Sequence, residues 1–491
     1  MSAFAQPSDP IVIIGAGVFG LSTALHLAQR GFKDVTILDK QDYDEFKYSY
    51  LEGCDAPSAD MNKIIRAAYG PETVYQDLSF EAMDLWRSYN DYIAAGRDLP
   101  AGISQRDEIW VNSGNLQMCG QMDLPRFERL SIENMRKAGQ RHTQVVVTEK
   151  DDVDRAEKAG FGFAVDPFGR RQRNKPYQAL LDTSGGFVYA DKACRLVLHL
   201  ARRAGVKTVL GQEAEFAGYH EDAQGNITGV KTVGAKTYPA RLVVVACGSW
   251  TQQIVPDMDD LCEATGGSVA VVQIPKTHEL YERFSPHNFP TWTYKMRDGA
   301  EGGLYGFPVD ENGYFKIGYR GTKYTNPRAL GTEKDRSVPV TRWSKPDSIT
   351  RIPSQALNRI RSFLEEFIPE LGEAGLHITF TRLCWYNDSF DNHFVIDHVP
   401  RKKGLMVATG GSGHAFMFLP NIGKYVVDKI EGKNGGALDY WKWRHLEPSQ
   451  KAVNVLGEGR QSTRALQNHR LYQDDELVLG GTAGLSKKSR L

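Results

Sequence analysis

The sequence predicts an α/β chain with an added antiparallel sheet: a discontinuous, doubly wound unit interleaved with a second, mostly antiparallel domain. Three observations carry this reading. A complete β-α-β pattern occupies residues 11–39. Two further buried-strand runs, 242–246 and 405–408, each close on a turn of small residues. Between them, 256–400 is rich in aromatic residues and alternating patterns. A chain of 491 residues has room for two or three domains of ordinary size.

The first strand is the apolar run Ile11-Val12-Ile13-Ile14, followed at once by Gly15-Ala16-Gly17-Val18-Phe19-Gly20. Leu21, Ala24, Leu25 and Ala28 then recur at helical spacing until Gly31. Val35–Leu38 forms a second strand that finishes at Asp39. Each glycine has its own task. Gly15 permits a tight turn, Gly17 lets backbone approach a pyrophosphate, and Gly20 lets helix and strand pack closely. The helix N-terminus favours the phosphate charge, and Asp39 can accept hydrogen bonds from ribose hydroxyls. NAD and FAD both use such a unit, so these residues leave the choice between them open.

Further along, residues 73–96 read as a helix with Val74, Leu78, Met83 and Trp86 on one face. A strand at Phe187–Ala190, a helix through Leu196 and Leu200, and a strand at Val206–Leu210 follow. A meander is expected over 214–219 and 227–232, and a buried strand over Leu242–Ala246. The antiparallel region contains Leu304–Pro308, Tyr314–Tyr319 and Ile378–Tyr386, with one helix near Ser354–Phe367. The wound pattern resumes at Leu405–Ala408, and a helix is expected from about Phe416 to Ile430. The dinucleotide-binding domain therefore comprises 8–70, 184–255 and 400–435. The substrate domain comprises 71–183 and 256–399. Residues 436–491 form a C-terminal extension, polar and loosely ordered from 448 onward.

Lys+Arg and Asp+Glu both total 60. This zero net charge argues against a nucleic-acid partner and against polybasic membrane docking. No stretch reads as a transmembrane helix, and the N-terminus lacks a secretory pattern. Cys54, Cys119, Cys194, Cys247, Cys262 and Cys384 form no CxxC pair, so no metal site is expected, and their scatter fits a reducing compartment. The chain ends Ser489-Arg490-Leu491, close to the Ser-Lys-Leu peroxisomal address.

Five separated motifs then point to a family: GAGVFG with Asp39, NKIIRAAYG at 62–70, YGFP with FKIGY at 305–319, LCWY at 383–386, and GGSGHAF at 410–416. Over roughly 10–435 the chain resembles the FAD-dependent amine oxidases of the monomeric sarcosine oxidase and fungal fructosyl amino acid oxidase (amadoriase-like) group. The resemblance implies a D-amino acid oxidase-like two-domain fold and FAD bonded through the Cys384 sulfur to the flavin 8α-methyl. It implies that Lys316 lies near flavin N5, where a fixed cation favours electron transfer to oxygen. Arg66 matches an arginine that pairs with the substrate carboxylate through its planar fork. Lys63, three residues earlier, matches a basic residue near the flavin and shares a helical face with Arg66 if the segment is helical.

Tyr305 and Tyr386 match aromatic groups of the substrate cavity. Gly411, Ser412, Gly413 and His414 match the loop at the flavin pyrimidine edge, where N–H groups stabilise negative charge. Val18, Phe19, Lys40, Ser58, Glu213, Ala214 and Met417 are further cofactor contacts that the resemblance implies. Two positions depart from the family. Met417 stands where a second carboxylate-binding lysine is usual, and Arg320 where sarcosine oxidase has a histidine.

The expected activity is oxidation of an N-methyl or N-alkyl amino acid to an imine, with hydrogen peroxide as co-product. The departures imply a reshaped pocket and a bulkier substrate, such as an N-methylated aromatic amino acid of a fungal secondary pathway. The alternative within the same chemistry is a fructosyl amino acid, saccharopine or pipecolate oxidase. The expected partners are the amine, oxygen and a peroxisomal import receptor, and the expected state is a monomer.

Overall fold

The computed structural model describes residues 4–297, 302–330 and 334–480; the terminal Ser489-Arg490-Leu491 lies outside them. The first domain is built on a six-stranded sheet. Its spatial order is Val395–His398, Leu405–Thr409, Leu242–Val245, Ile11–Ile14, Val35–Asp39 and Lys207–Leu210. All neighbours are parallel except Val395–His398. The inner strands Ile11–Ile14 and Leu242–Val245 are apolar throughout because both of their faces are covered. Helices Val18–Gln29, Ala190–Arg203 and Ile422–Ile430 contribute to the core on one face. The meander Phe216–Glu221, Ile227–Thr232 and Thr237–Pro239 covers the other. The strands at 11–14, 35–39, 207–210, 242–245 and 405–409 and the first helix lie within a few residues of their expected limits, whereas the sequence pattern does not single out Val395–His398 or Thr237–Pro239.

One local expectation fails, and one conditional reading is excluded. The single helix expected from 416 to 430 is a short turn, Phe416–Phe418, followed by helix Ile422–Ile430. Pro420 lies between them and supplies no N–H to a continuous helix. Residues 62–65 form a strand rather than a helix, paired antiparallel with Gly186–Tyr189. Ile64 and Ile65 favour extended backbone, and the neighbouring strand satisfies their polar groups. Lys63 and Arg66 therefore share no helical face.

The second domain is an eight-stranded sheet. Its order is Ile378–Ser389, Cys262–Gln273, Tyr314–Tyr324, Leu304–Gly306, Thr291–Tyr294, Asn115–Cys119, Gln178–Asp182 and Gln144–Val146. Only the Thr291–Tyr294 and Asn115–Cys119 pair is parallel. One face of this sheet carries Phe315, Ile317, Leu383 and Trp385, which share a core with helix Ser354–Phe367. That helix buries Leu357, Ile360, Leu364 and Phe367, the spacing of a one-sided helix. The opposite face carries Lys316, Gly318, Arg382, Cys384 and Tyr386, because residues two apart in a strand share a face.

Helix Thr73–Ala94 buries Tyr75, Leu78, Met83 and Trp86 in the first core, although it falls within the 71–183 stretch. The described part of the C-terminal extension is also docked, contrary to expectation. Thr325 N–H donates to Arg464 O at 2.9 Å, and Leu466 N–H donates to Thr325 O at 2.8 Å. Leu466, Tyr472 and Leu479 enter the second core. These apolar residues follow neither a helical nor a strand period, so the sequence pattern conceals them. Among the described residues, no helix is long and apolar enough to cross a membrane.

Candidate active site

A cavity of about 450 Å³ runs between the parallel sheet and the polar face of the large sheet. At one end is the glycine turn. Gly15 has φ +105°, and a Cβ there would lie 2.5 Å from Ala246 O. Asp39 accepts the Ala16 N–H at 2.7 Å and the Gln41 N–H at 2.8 Å, so it also pins the turn. Burial raises its pKa, against these bonds. Helix Val18–Gln29 has no side-chain cap of its own, and Ser58 Oγ accepts the Val18 N–H at 3.1 Å. Gly17, Val18, Phe19, Lys40, Ser58 and Ala214 line this end.

Three expected cofactor residues are not among those lining the cavity. Gly20 packs against the Gly15 carbonyl, the close helix–strand approach expected of it. Glu213 is not on the wall; Ala214 and Glu215 are, with Glu215 at 3.9 Å from Lys40. The short turn Gln212–Ala214 directs Glu213 toward Gly234 instead. Cys384 is 1% exposed and packs with Val269 and Val271, two residues along its strand from Tyr386.

The middle of the cavity holds a buried charge cluster that sequence reasoning saw only in part. Lys316 Nζ donates to Asp60 Oδ2 and to Asn62 O, both at 2.9 Å, leaving one N–H. Its ammonium lies 4.7 Å from the Phe307 ring. Lys63 Nζ donates to the same Asp60 oxygen at 2.5 Å. Arg382 pairs with Asp55 at 2.6 Å, approaches Asp60 at 3.6 Å and stacks over Tyr50.

Two carboxylates thus face three cations. Burial alone would raise Asp60, but Lys316, Lys63 and Arg382 together hold it far below the carboxylate range. Burial lowers Lys316 to about 8, because the one carboxylate it contacts is shared with Lys63. Nothing in the sequence pattern marks Asp60 or Arg382; the Ser-Ala-Asp-Met-Asn context of Asp60 reads as an ordinary loop.

Tyr305 and Tyr386 meet beside this cluster, hydroxyl to hydroxyl at 3.4 Å. Glycines make room for both rings. A Cβ at Gly318 would strike the Tyr305 ring, and one at Gly267 would lie 2.6 Å from Tyr386. Arg66 lies just beyond the strand Asn62–Ile65, with its guanidinium 4.8 Å from the Tyr69 ring. Tyr69 donates to Met417 Sδ at 3.1 Å, so Met417 is held in the wall. Gly411, Gly413 and His414 line the same end. Burial lowers His414 to about 3, and Arg66 and Arg320 reinforce this, so the ring is neutral. Its Nε2 carries the proton and donates to Asn392 O at 3.0 Å, since a carbonyl can only accept. The structure thus brings Arg66, Lys63, Lys316, Tyr305, Tyr386 and the 411–414 loop to one space.

A family model described as FAD dependent oxidoreductase matches residues 10–429. The chain belongs to the FAD dependent oxidoreductase family. It is 27% identical over 450 residues to the L-saccharopine oxidase of Schizosaccharomyces pombe, covering 89% of this chain and 93% of that one. It is 22% identical over 418 residues to the monomeric sarcosine oxidase of a Bacillus species, covering 84% and 90%. Among solved structures, a modified fructosyl peptide oxidase from Aspergillus nidulans superposes with TM-score 0.76 at 25% identity, covering 95% and 99%.

The residues present fit FAD. At Gly15 a side chain would collide with the Ala246 carbonyl, and at Gly17 it would press on the Ser58 hydroxyl at 3.1 Å. The Asn62 side-chain amide lies buried in the cavity wall with neither nitrogen nor oxygen partnered. A prediction follows for Gly15→Ala. Its strained φ and the Ala246 carbonyl both resist a methyl group, at a cost of about 1–3 kcal/mol for the backbone alone. The purified variant should carry clearly less than one FAD per chain, read from its visible absorbance. Full occupancy would show that the turn tolerates the methyl.

Proposed function

We propose that this flavoenzyme oxidises N-alkyl amino acids to imines and passes the electrons to oxygen, with FAD tethered through the Cys384 sulfur. One observation carries the reading: Arg66 and the buried Lys316 ammonium line the same cavity as the dinucleotide turn. Bound FAD supplies a two-electron acceptor that oxygen can regenerate. Overall, the amine CH–NH group becomes C=N and oxygen becomes hydrogen peroxide, so two electrons and two protons are transferred. Arg66 binds the substrate carboxylate and thereby orients the CH–NH bond. The buried cavity favours the neutral amine, whose lone pair must be free to form C=N. Lys316, held by Asp60 and Asn62 O, keeps a positive charge where reduced oxygen first carries a negative one.

The names of the similar proteins, all oxidases, support this chemistry. Oxygen uptake and peroxide release should appear with N-alkyl amino acids and be far weaker with the matching primary amino acids. Equal rates with both would point to a primary-amine oxidase instead. Covalent attachment has its own test. Yellow colour should remain with the acid-precipitated protein and move to the supernatant in Cys384→Ala. Wild-type protein that releases all of its flavin would reject the linkage.

A further inference from the structure

The cavity does not end at Arg66. A second chamber of about 390 Å³ adjoins it, and Arg66, Tyr69, Thr293, Met296, Arg320 and His414 line both. Five cations line the second chamber: Arg66, Lys295, Arg297, Arg320 and Lys323. Only two carboxylates, Glu72 and Glu128, line it with them. Lys323 has a counter-ion outside the chamber, Asp388 at 2.6 Å. Among the described residues, Arg66, Arg297 and Arg320 form no ion pair.

Among the described residues, the Arg320 side chain donates to Ser412 O at 3.3 Å and lies 5.0 Å from the Tyr386 ring; it shares the attraction of Asp388 with Lys323 without pairing to it, and its Nε is buried without a partner. Arg297 is exposed at the chamber's edge and sits over the Phe127 ring at 3.8 Å; desolvation, Arg66 and Arg320 lower its pKa against the pull of Glu72 and Glu128. Three guanidiniums gathered around one opening repel one another. Such an arrangement is stabilised when a ligand brings the missing anions, and each planar fork matches one carboxylate. One substrate carboxylate satisfies Arg66 and leaves two forks unmet.

We infer that the substrate carries a second carboxylate, which enters this chamber and is read by Arg320 and Arg297. The substrate class is then an amino acid whose N-substituent or side chain ends in a carboxylate. The inference rests on the oxidase reading above and narrows it. The position of Arg320, unusual for the resemblance, thereby acquires a task. The chamber's polar wall, including Gln117, Gln121, Asn392 and Asn454, suits an acid better than an aromatic ring.

Two matched substrate pairs test it on the holoenzyme. N-(carboxyethyl)-L-alanine against N-propyl-L-alanine places the acid on the nitrogen substituent. N-ethyl-L-glutamate against N-ethyl-L-norvaline places it on the side chain. In at least one pair the acid should be preferred about tenfold or more in kcat/KM, chiefly through KM. Arg297→Gln and Arg320→Gln should each shrink that preference. Equal kcat/KM within both pairs, or variants that slow both members alike, would overturn the inference. Binding of glutarate against butyrate, measured by calorimetry, gives a readout free of turnover. Tighter glutarate binding that weakens in Arg297→Gln is expected, and equal binding would overturn the inference. If none of the four amines consumes oxygen, the oxidase reading fails, and the glutarate comparison still decides the second-carboxylate site.

Discussion

Lys316→Met is expected to lower kcat/KM for oxygen by about 10²–10³ while kcat/KM for the amine falls far less. The substitution keeps most of the stem and removes the charge. Amine oxidation does not require a cation at the oxygen site, whereas the first electron added to oxygen creates an anion in a space with little water. Lys316 is 1% exposed, so no solvent dipoles replace a lost ammonium there. The same logic sets a pH dependence. With its pKa lowered to about 8, the group is charged below that value and neutral above it. Oxygen reactivity of the wild type should therefore be highest on the acid side and decline as pH rises through about 8. Lys316→Met should lack that decline. Steady-state rates at varied oxygen concentration check both. A variant that loses amine reactivity and keeps oxygen reactivity would move Lys316 to the amine step.

Arg66→Ala should raise KM for a carboxylate-bearing amine by roughly 30- to 5,000-fold, the equivalent of about 2–5 kcal/mol for a buried charge pair. The matching amine without its carboxylate should lose little. Arg66 has no ion-pair partner among the described residues, so the variant strands no internal counter-charge and its effect reports on ligand binding. Equal losses for both amines would show that Arg66 does not read the carboxylate. Arg66→Lys should recover only part of the affinity, because an ammonium cannot make two parallel hydrogen bonds to one carboxylate.

The parts of this molecule legible in its sequence are those encoded locally. Ile11–Ile14, the glycine turn and Asp39 declare a β-α-β unit within one short stretch. Lys316 and Gly318 declare their shared strand face by alternation. The charge cluster around Asp60 is different. It draws Asp55, Asp60 and Lys63 from one segment and Lys316 and Arg382 from two strands of the other domain. No periodicity links such residues, since their proximity follows from how the two domains close. The second chamber is hidden for the same reason, with walls drawn from 66–72, 117–128, 293–297, 320–323 and the 392–454 region. Glu213 and Glu215 show the limit at short range. A single turn decides which of two nearby carboxylates faces the cavity, and composition cannot distinguish them. Residues 62–65 were ambiguous because a four-residue stretch is too short to show a period, and pairing with Gly186–Tyr189 settles it.

The proposed oxidase uses one cavity both to accept electrons from an N-alkyl amino acid and to deliver them to oxygen. The most direct measurement is an anaerobic titration of the purified holoenzyme with such an amine, followed by admission of air. The visible flavin band should bleach with about one amine per flavin, and air should restore it with about one hydrogen peroxide released. A band that no N-alkyl amino acid bleaches would contradict the amine reaction. A bleached band that air fails to restore, or restores without peroxide, would contradict the oxidase.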